Sequence, residues 1–121
     1  MMDRAEIGRR GEAVAAKHYL NMGYRLLAHN YRTRFGELDL VLEYAGVVVI
    51  CEVKTRSPQS YARPAAAVDW RKQQKLILAA QQYLQSTNRS NCAVRFDVAE
   101  VVPLAGGKWQ VQLLKSAFEC E

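Results

Sequence analysis

Between residues 4 and 22 the apolar and small positions Ile7, Gly11, Val14, Ala15, His18, Tyr19 and Met22 recur at a spacing of about 3.6, while Arg9, Arg10, Lys17 and Asn21 fall opposite. That pattern predicts an amphipathic helix, with Gly23 as its stop. The period then shortens to two, predicting strands over residues 24–31, 37–44 and 47–55. Tyr44-Ala45-Gly46 is short enough to join the last two as a hairpin. Residues 56–68 hold two prolines and little periodicity, so a loop is expected there. A second helix is predicted from an Asp69 cap to about Gln85, with Trp70, Leu76, Ile77, Ala80, Tyr83 and Leu84 on its inner stripe. Strands over 93–102 and 108–115, joined by the turn PLAGG, close the chain. The order α-β-β-β-α-β-β predicts one α/β domain over residues 1–121, with a mixed sheet.

Charges interrupt this pattern at one place. Strand side chains alternate faces, so Leu38, Leu40, Leu42 and Tyr44 are expected on the core face and Asp39 on the other, with Glu37, Val41 and Glu43. Residues 47–51 are apolar on both faces, as in a central strand; Glu52 and Lys54 then emerge on one face. The hairpin brings Asp39 and Glu52 near each other. Two such carboxylates repel, and burial makes each charge costly. A hard divalent cation relieves both costs, because it takes oxygen ligands. Asp39, Glu52 and the Val53 carbonyl are therefore the expected ligands of Mg²⁺ or Mn²⁺, and Lys54 the residue that activates water or stabilises charge on a phosphate. An isolated E-x-K means no more than a cross-strand ion pair. The metal reading rests on the full spacing: G-E-x-D, twelve residues, then E-V-K on a hydrophobic hairpin.

The net charge of +5 and pI near 9.3 add a polyanionic partner as an expectation. Arg32 and Arg34 precede the acidic strand, and Arg56, Arg63, Arg71, Lys72 and Lys75 follow the E-x-K strand. As a set they are expected to form a phosphate-binding rim; any one of them alone is an ordinary solvated charge. The three cysteines, without a CxxC pair, argue against a disulfide framework or a zinc site and fit a reduced cytosol. The N-terminus lacks the apolar core of a secretory signal, and no apolar run approaches the roughly 20 residues that span a bilayer. A soluble cytoplasmic protein with no membrane partner is expected. His18 and His29 lack partner spacing and are read as structural; Arg95 and Asp97, sharing a strand face, as a structural ion pair. Tyr31, Tyr61 and Trp70 are read as packing residues before base stackers. Gln73 is read as pointing inward, and Glu37 as a neighbour of Asp39 or an edge charge.

The carboxylate on one strand and E-x-K on the next resemble the signature of the PD-(D/E)xK nuclease superfamily. More closely, the chain resembles the YraN-like family of bacterial proteins, itself similar to archaeal Holliday-junction resolvases. The match is carried by Gly8, Glu12, Tyr19 and Leu20 in the first helix, N-Y-R at 30–32, GELD, EVKTR, AAV-x-x-x-K ending at Lys72, A-x-x-Y-L in the second helix, RFDV at 95–98 and K-S-A-F at 115–118. It covers nearly the whole chain. Two departures stand out: Leu38 replaces the usual proline before the aspartate, and Ala62 stands where a glycine is expected. The resemblance implies a restriction-endonuclease-like three-layer core with helices flanking a mixed sheet. It implies metal-dependent phosphodiester hydrolysis at Asp39, Glu52 and Lys54, with Glu12 adding to the acidic site and Lys72 facing it. DNA, including branched or structured DNA, is the implied substrate ahead of RNA, and a homodimer the implied acting unit. The competing readings are a non-catalytic nucleic-acid-binding module that keeps the fold, and a protein-interaction scaffold.

Overall fold

A computed structural model describes residues 3–57 and 68–118. Helix α1 (Arg4–Asn21) is followed by strands β1 (Arg25–Thr33), β2 (Gly36–Tyr44) and β3 (Val47–Thr55), then helix α2 (Trp70–Ser86) and strands β4 (Ala93–Pro103) and β5 (Trp109–Phe118). Most of the expected loop over 56–68, with Tyr61, Ala62 and Arg63, lies outside the described residues.

Local chemistry accounts for the element ends. Asp3 and Asp69 cap the two helices, accepting from the backbone N–H of Glu6 and Lys72 at 2.8 Å each. The β2–β3 hairpin turns on Ala45 and Gly46, with φ of 52° and 80°. Positive φ at both positions is the type I′ geometry that suits twisted strands.

The five strands lie in chain order, antiparallel except for β3 and β4, which run parallel with α2 in the crossover. Each helix seals one face. Ala15 and Tyr19 of α1 pack with Leu40, Leu42, Val49, Cys51, Ala99 and Val101. Leu76, Ile77, Ala80 and Tyr83 of α2 pack with Leu38, Val41, Val48, Ile50 and Val98. Consecutive β3 residues thus enter opposite cores, which is why 47–51 carries no polar alternation. The result is the expected three-layer, restriction-endonuclease-like core.

Gly11 sets how closely α1 approaches the sheet. A Cβ there would lie 2.3 Å from Thr55 Oγ1 and 2.9 Å from Val101 Cγ2. Both neighbours are β-branched and stiff, so neither side chain swings away cheaply. Gly11→Val is expected to lower stability by roughly 2–3 kcal/mol, since overpacking outweighs the few tenths that valine gains over glycine in helix propensity. Urea denaturation measures it.

Some expectations shift. Trp70 is 73% exposed, because the first turn of α2 projects past the apolar cluster that buries the rest of the stripe. Met22, the C-cap of α1, is likewise exposed. Strand β1 runs two residues beyond its expected end, taking in Arg32 and Thr33, and β5 reaches Phe118. Here a register shift between Phe96 and Val98, with Ser116 at φ 53°, carries the ladder three residues further. The largest change lies in β2. Leu38 packs on the α2 side, whereas Leu40 and Leu42 pack on the α1 side.

Candidate metal centre

The split between Leu38 and Leu40 has its cause in the neighbouring strand. His29 pairs with Leu40 and Tyr31 with Leu38, and between them Asn30 takes a left-handed φ of 49°. Asparagine tolerates that conformation better than most residues. The strand pair rotates there: Tyr31 turns to the α2 core, edge-on to Tyr83, while His29 stays on the α1 side. Asp39, opposite Asn30, sits at the rotation and belongs to neither core.

The β2–β3 ladder ends at Leu40 and Cys51. Beyond it the Val53 N–H donates to Asp39 Oδ2 at 2.9 Å instead of to a backbone carbonyl. A strand residue directs its N–H and C=O to the same neighbour. The Val53 carbonyl therefore also faces Asp39, past the end of the ladder.

Glu52 is 7% exposed on the α2 face of the sheet. Its Oε2 lies 3.7 Å from Lys54 Nζ and 3.5 Å from Lys72 Nζ. Oε1 is buried and has no hydrogen-bond partner among the described residues. Burial and then the charge of Glu52 push the Asp39 carboxyl up to about 7, against the lowering effect of the Val53 N–H; Glu12 adds to the rise. A buried pair with one orphaned oxygen is under-compensated by the protein itself.

Two further carboxylates complete the cluster. One oxygen from each of Glu12, Glu37 and Asp39 lies within 4.8 Å of the other two. Asn30 Nδ2 donates to Glu12 Oε1 at 2.9 Å and to Glu37 Oε1 at 3.1 Å. Helix α1 and strands β1 and β2 thus converge on the carboxylates, while β3 and α2 join them through Glu52, whose charge acts on Asp39, and through Lys72 beside Glu52. Asn30 is the member with no signal of its own in the sequence, where it stands only within the N-Y-R motif. The carboxylates that converge, Glu12, Glu37 and Asp39, with Glu52 close enough for its charge to act on Asp39, offer oxygen donors only, the chemistry of a hard cation such as Mg²⁺ or Mn²⁺.

The expected basic rim divides. Lys72 engages Glu52, and Lys75 lines a cleft of about 190 Å³ with Lys72 and Glu37. Arg32 is exposed and lies 3.5 Å from Glu37. Arg34 rests its guanidinium 4.8 Å over the Phe35 ring at the β1–β2 turn. Arg56 is held at 2.7 Å by the buried Glu100, so its charge is offset inside the protein. Gln73, expected to point inward, bonds the Val68 carbonyl of its own helix start. The Arg95–Asp97 pair forms as expected, at 2.8 Å.

Comparison with known proteins decides the family. Residues 11–101 match the model described as "Uncharacterised protein family UPF0102". The chain is 39% identical over 117 residues to a UPF0102 protein of Clavibacter michiganensis, covering 97% of this chain and 99% of that one. The chain belongs to the UPF0102 family. Other UPF0102 relatives include those of Alkaliphilus metalliredigens, 38% identical over 112 residues, and Symbiobacterium thermophilum, 40% identical over 112 residues. The alignments cover 93% of this chain in both cases and 96% and 95% of the relatives. The UPF0102 match spans Glu12, Asn30, Glu37, Asp39, Glu52, Lys54 and Lys72, so the whole cluster lies within the family's shared segment. Among the described residues no helix is long and apolar enough to cross a membrane.

Proposed function

We propose that this UPF0102 protein is a divalent-metal-dependent nuclease that hydrolyses phosphodiester bonds in DNA, branched or structured DNA included. The observation that carries the reading is the buried, unpartnered Glu52 Oε1 beside an Asp39 carboxyl held up to about 7. A protein stabilised only by its own ion pairs has no use for that arrangement.

Asp39, Glu52 and the Val53 carbonyl hold the cation, with Glu12 in support. When bound, Mg²⁺ or Mn²⁺ polarises the phosphate and makes water a better nucleophile. Lys54 and Lys72, both within 3.7 Å of Glu52, place positive charge where the phosphate gains negative charge. Water attacks phosphorus and releases a proton to solvent, the P–O bond to the leaving oxygen breaks and that oxygen takes up a proton from solvent, and Lys54 stabilises the negative charge that develops on the phosphate. Lys75 and Arg34 serve the backbone phosphates further out.

The competing reading, a nucleic-acid-binding module without catalysis, has one observation in its favour: two lysines already partner Glu52 Oε2. Calorimetry with Mn²⁺ separates the two readings. Metal binding needs the ionised Asp39, which is mostly protonated below about pH 7 and mostly charged above it. Mn²⁺ affinity is therefore expected to rise about tenfold from pH 6 to pH 8 and then level off, and to vanish in Asp39→Ala. Absence of Asp39-dependent binding would leave the non-catalytic reading.

A further inference from the structure

The close approach at Gly11 seats α1 over Thr55 of β3 and Val101 of β4. On the helix flank toward β1 and β2, Ala13 and Ala16 are too small to fill the space down to the sheet. A trough of about 380 Å³ remains, walled by these alanines and by Leu20, Leu26 and Leu40. Leu20, on its wall, is 47% exposed.

Cations flank the trough. Arg9 and Lys17 stand on its rim. Neither enters an ion pair among the described residues, in contrast to Arg32, Arg56 and Lys72, each matched by a glutamate. The inner end is formed by Glu12 and Asn30, which also belong to the acidic cluster. The trough therefore runs straight into the candidate metal centre.

We propose that this trough binds an unstacked nucleotide of the substrate strand, its base against Ala13, Ala16, Leu20 and Leu26 and its phosphates at Arg9 and Lys17. The proposal rests on the nuclease reading and adds a substrate class, DNA with an unpaired nucleotide next to the cleavage site. An apolar slot takes the flat face of any base, whereas a base within an intact duplex is already stacked and does not enter. Two cations with no ion-pair partner among the described residues match a phosphodiester backbone better than an apolar peptide or a second copy of this chain. The shared Glu12 and Asn30 place the neighbouring phosphate at the carboxylates.

Binding of the full chain to three duplexes tests it, with Ca²⁺ in place of Mg²⁺. One duplex carries a single unpaired nucleotide, one an abasic residue at the same position, and one is fully paired. The unpaired base is expected to bind about tenfold tighter than the abasic or paired duplex. Ala13→Leu, which fills the trough from an exposed position, should erase that preference without changing Mn²⁺ binding. Leu20→Ala, which removes a wall, should weaken it. Equal affinity for base and abasic duplexes, or an unchanged preference in Ala13→Leu, overturns the proposal. So does self-association of the chain that Ala13→Leu abolishes in the absence of any base preference. Failure of the nuclease reading shows separately, as loss of Asp39-dependent Mn²⁺ binding.

Discussion

Glu52→Ala is expected to lower DNA cleavage by at least about 10³-fold and to leave the protein as stable as before, or more so. The activity follows from the metal: a ligand worth several kcal/mol of transition-state charge stabilisation corresponds to about that factor in rate. The stability follows from the orphaned Oε1. Removing Glu52 takes away a buried charge that the protein does not fully compensate, and with it the main electrostatic burden on Asp39. Lys54 and Lys72 are 30% and 43% exposed and can turn to water. The measurement is a panel of linear, single-stranded and branched substrates with Mg²⁺ or Mn²⁺, with a thermal melt of the same samples. Asp39→Ala should lose cleavage to the same degree but cost about 1–3 kcal/mol of stability, because the Val53 N–H loses its acceptor. Cleavage by either variant at the wild-type rate, or no cleavage of any substrate by the wild type, sinks the catalytic reading.

Asp97→Ala should do the opposite, costing about 3–5 kcal/mol of stability. Asp97 is also a buried carboxylate, yet every part of it is engaged. It accepts from the Tyr19 hydroxyl at 2.8 Å, from Arg95 Nε and Nη2 at 2.8 Å each, and from the Ser116 N–H at 3.0 Å. Arg95 in turn donates to the Tyr24 hydroxyl at 2.8 Å. The network ties α1, the α1–β1 connection, β4 and β5 together on the α1 side of the sheet. Removing its centre leaves a largely buried guanidinium and the wholly buried Tyr19 hydroxyl without their acceptor. For a domain of ordinary stability that is a large fraction of the total. Urea denaturation reads it, and a loss under about 1 kcal/mol would show that the network is dispensable. The contrast between the two variants tests the central distinction in this protein. One buried carboxylate is satisfied by the fold, and the other is left for a ligand.

Much of this was legible before the fold. Among the described residues the 3.6-residue and two-residue periods located both α-helices and all five strands, and local chemistry located the Asp69 cap and the Ala45-Gly46 turn, because capping, turn chemistry and periodicity are local properties of the backbone. The same local rule placed Glu52 and Lys54 on one face. What it could not supply was the break in its own alternation. Leu38 and Leu40 are two residues apart yet enter opposite cores, because a left-handed residue in β1, Asn30, rotates the paired strand at Asp39. That rotation depends on the partner strand, nine residues earlier in the chain, and leaves no mark in the pattern of β2 itself.

Charge followed the same division. Sequence spacing was enough to suggest a basic set around an acidic pair, since composition counts cations whatever their neighbours. Only the tertiary structure decided which of them are matched, binding Arg56 to Glu100 and Lys72 to Glu52 while Arg34 lies over Phe35, and it set two cations outside that set, Arg9 and Lys17, beside an apolar trough. The amino-acid order determined the elements and the chemical kinds of group available. Packing determined which groups meet, because the contacts that satisfy or strand a charge are made between segments distant in the chain.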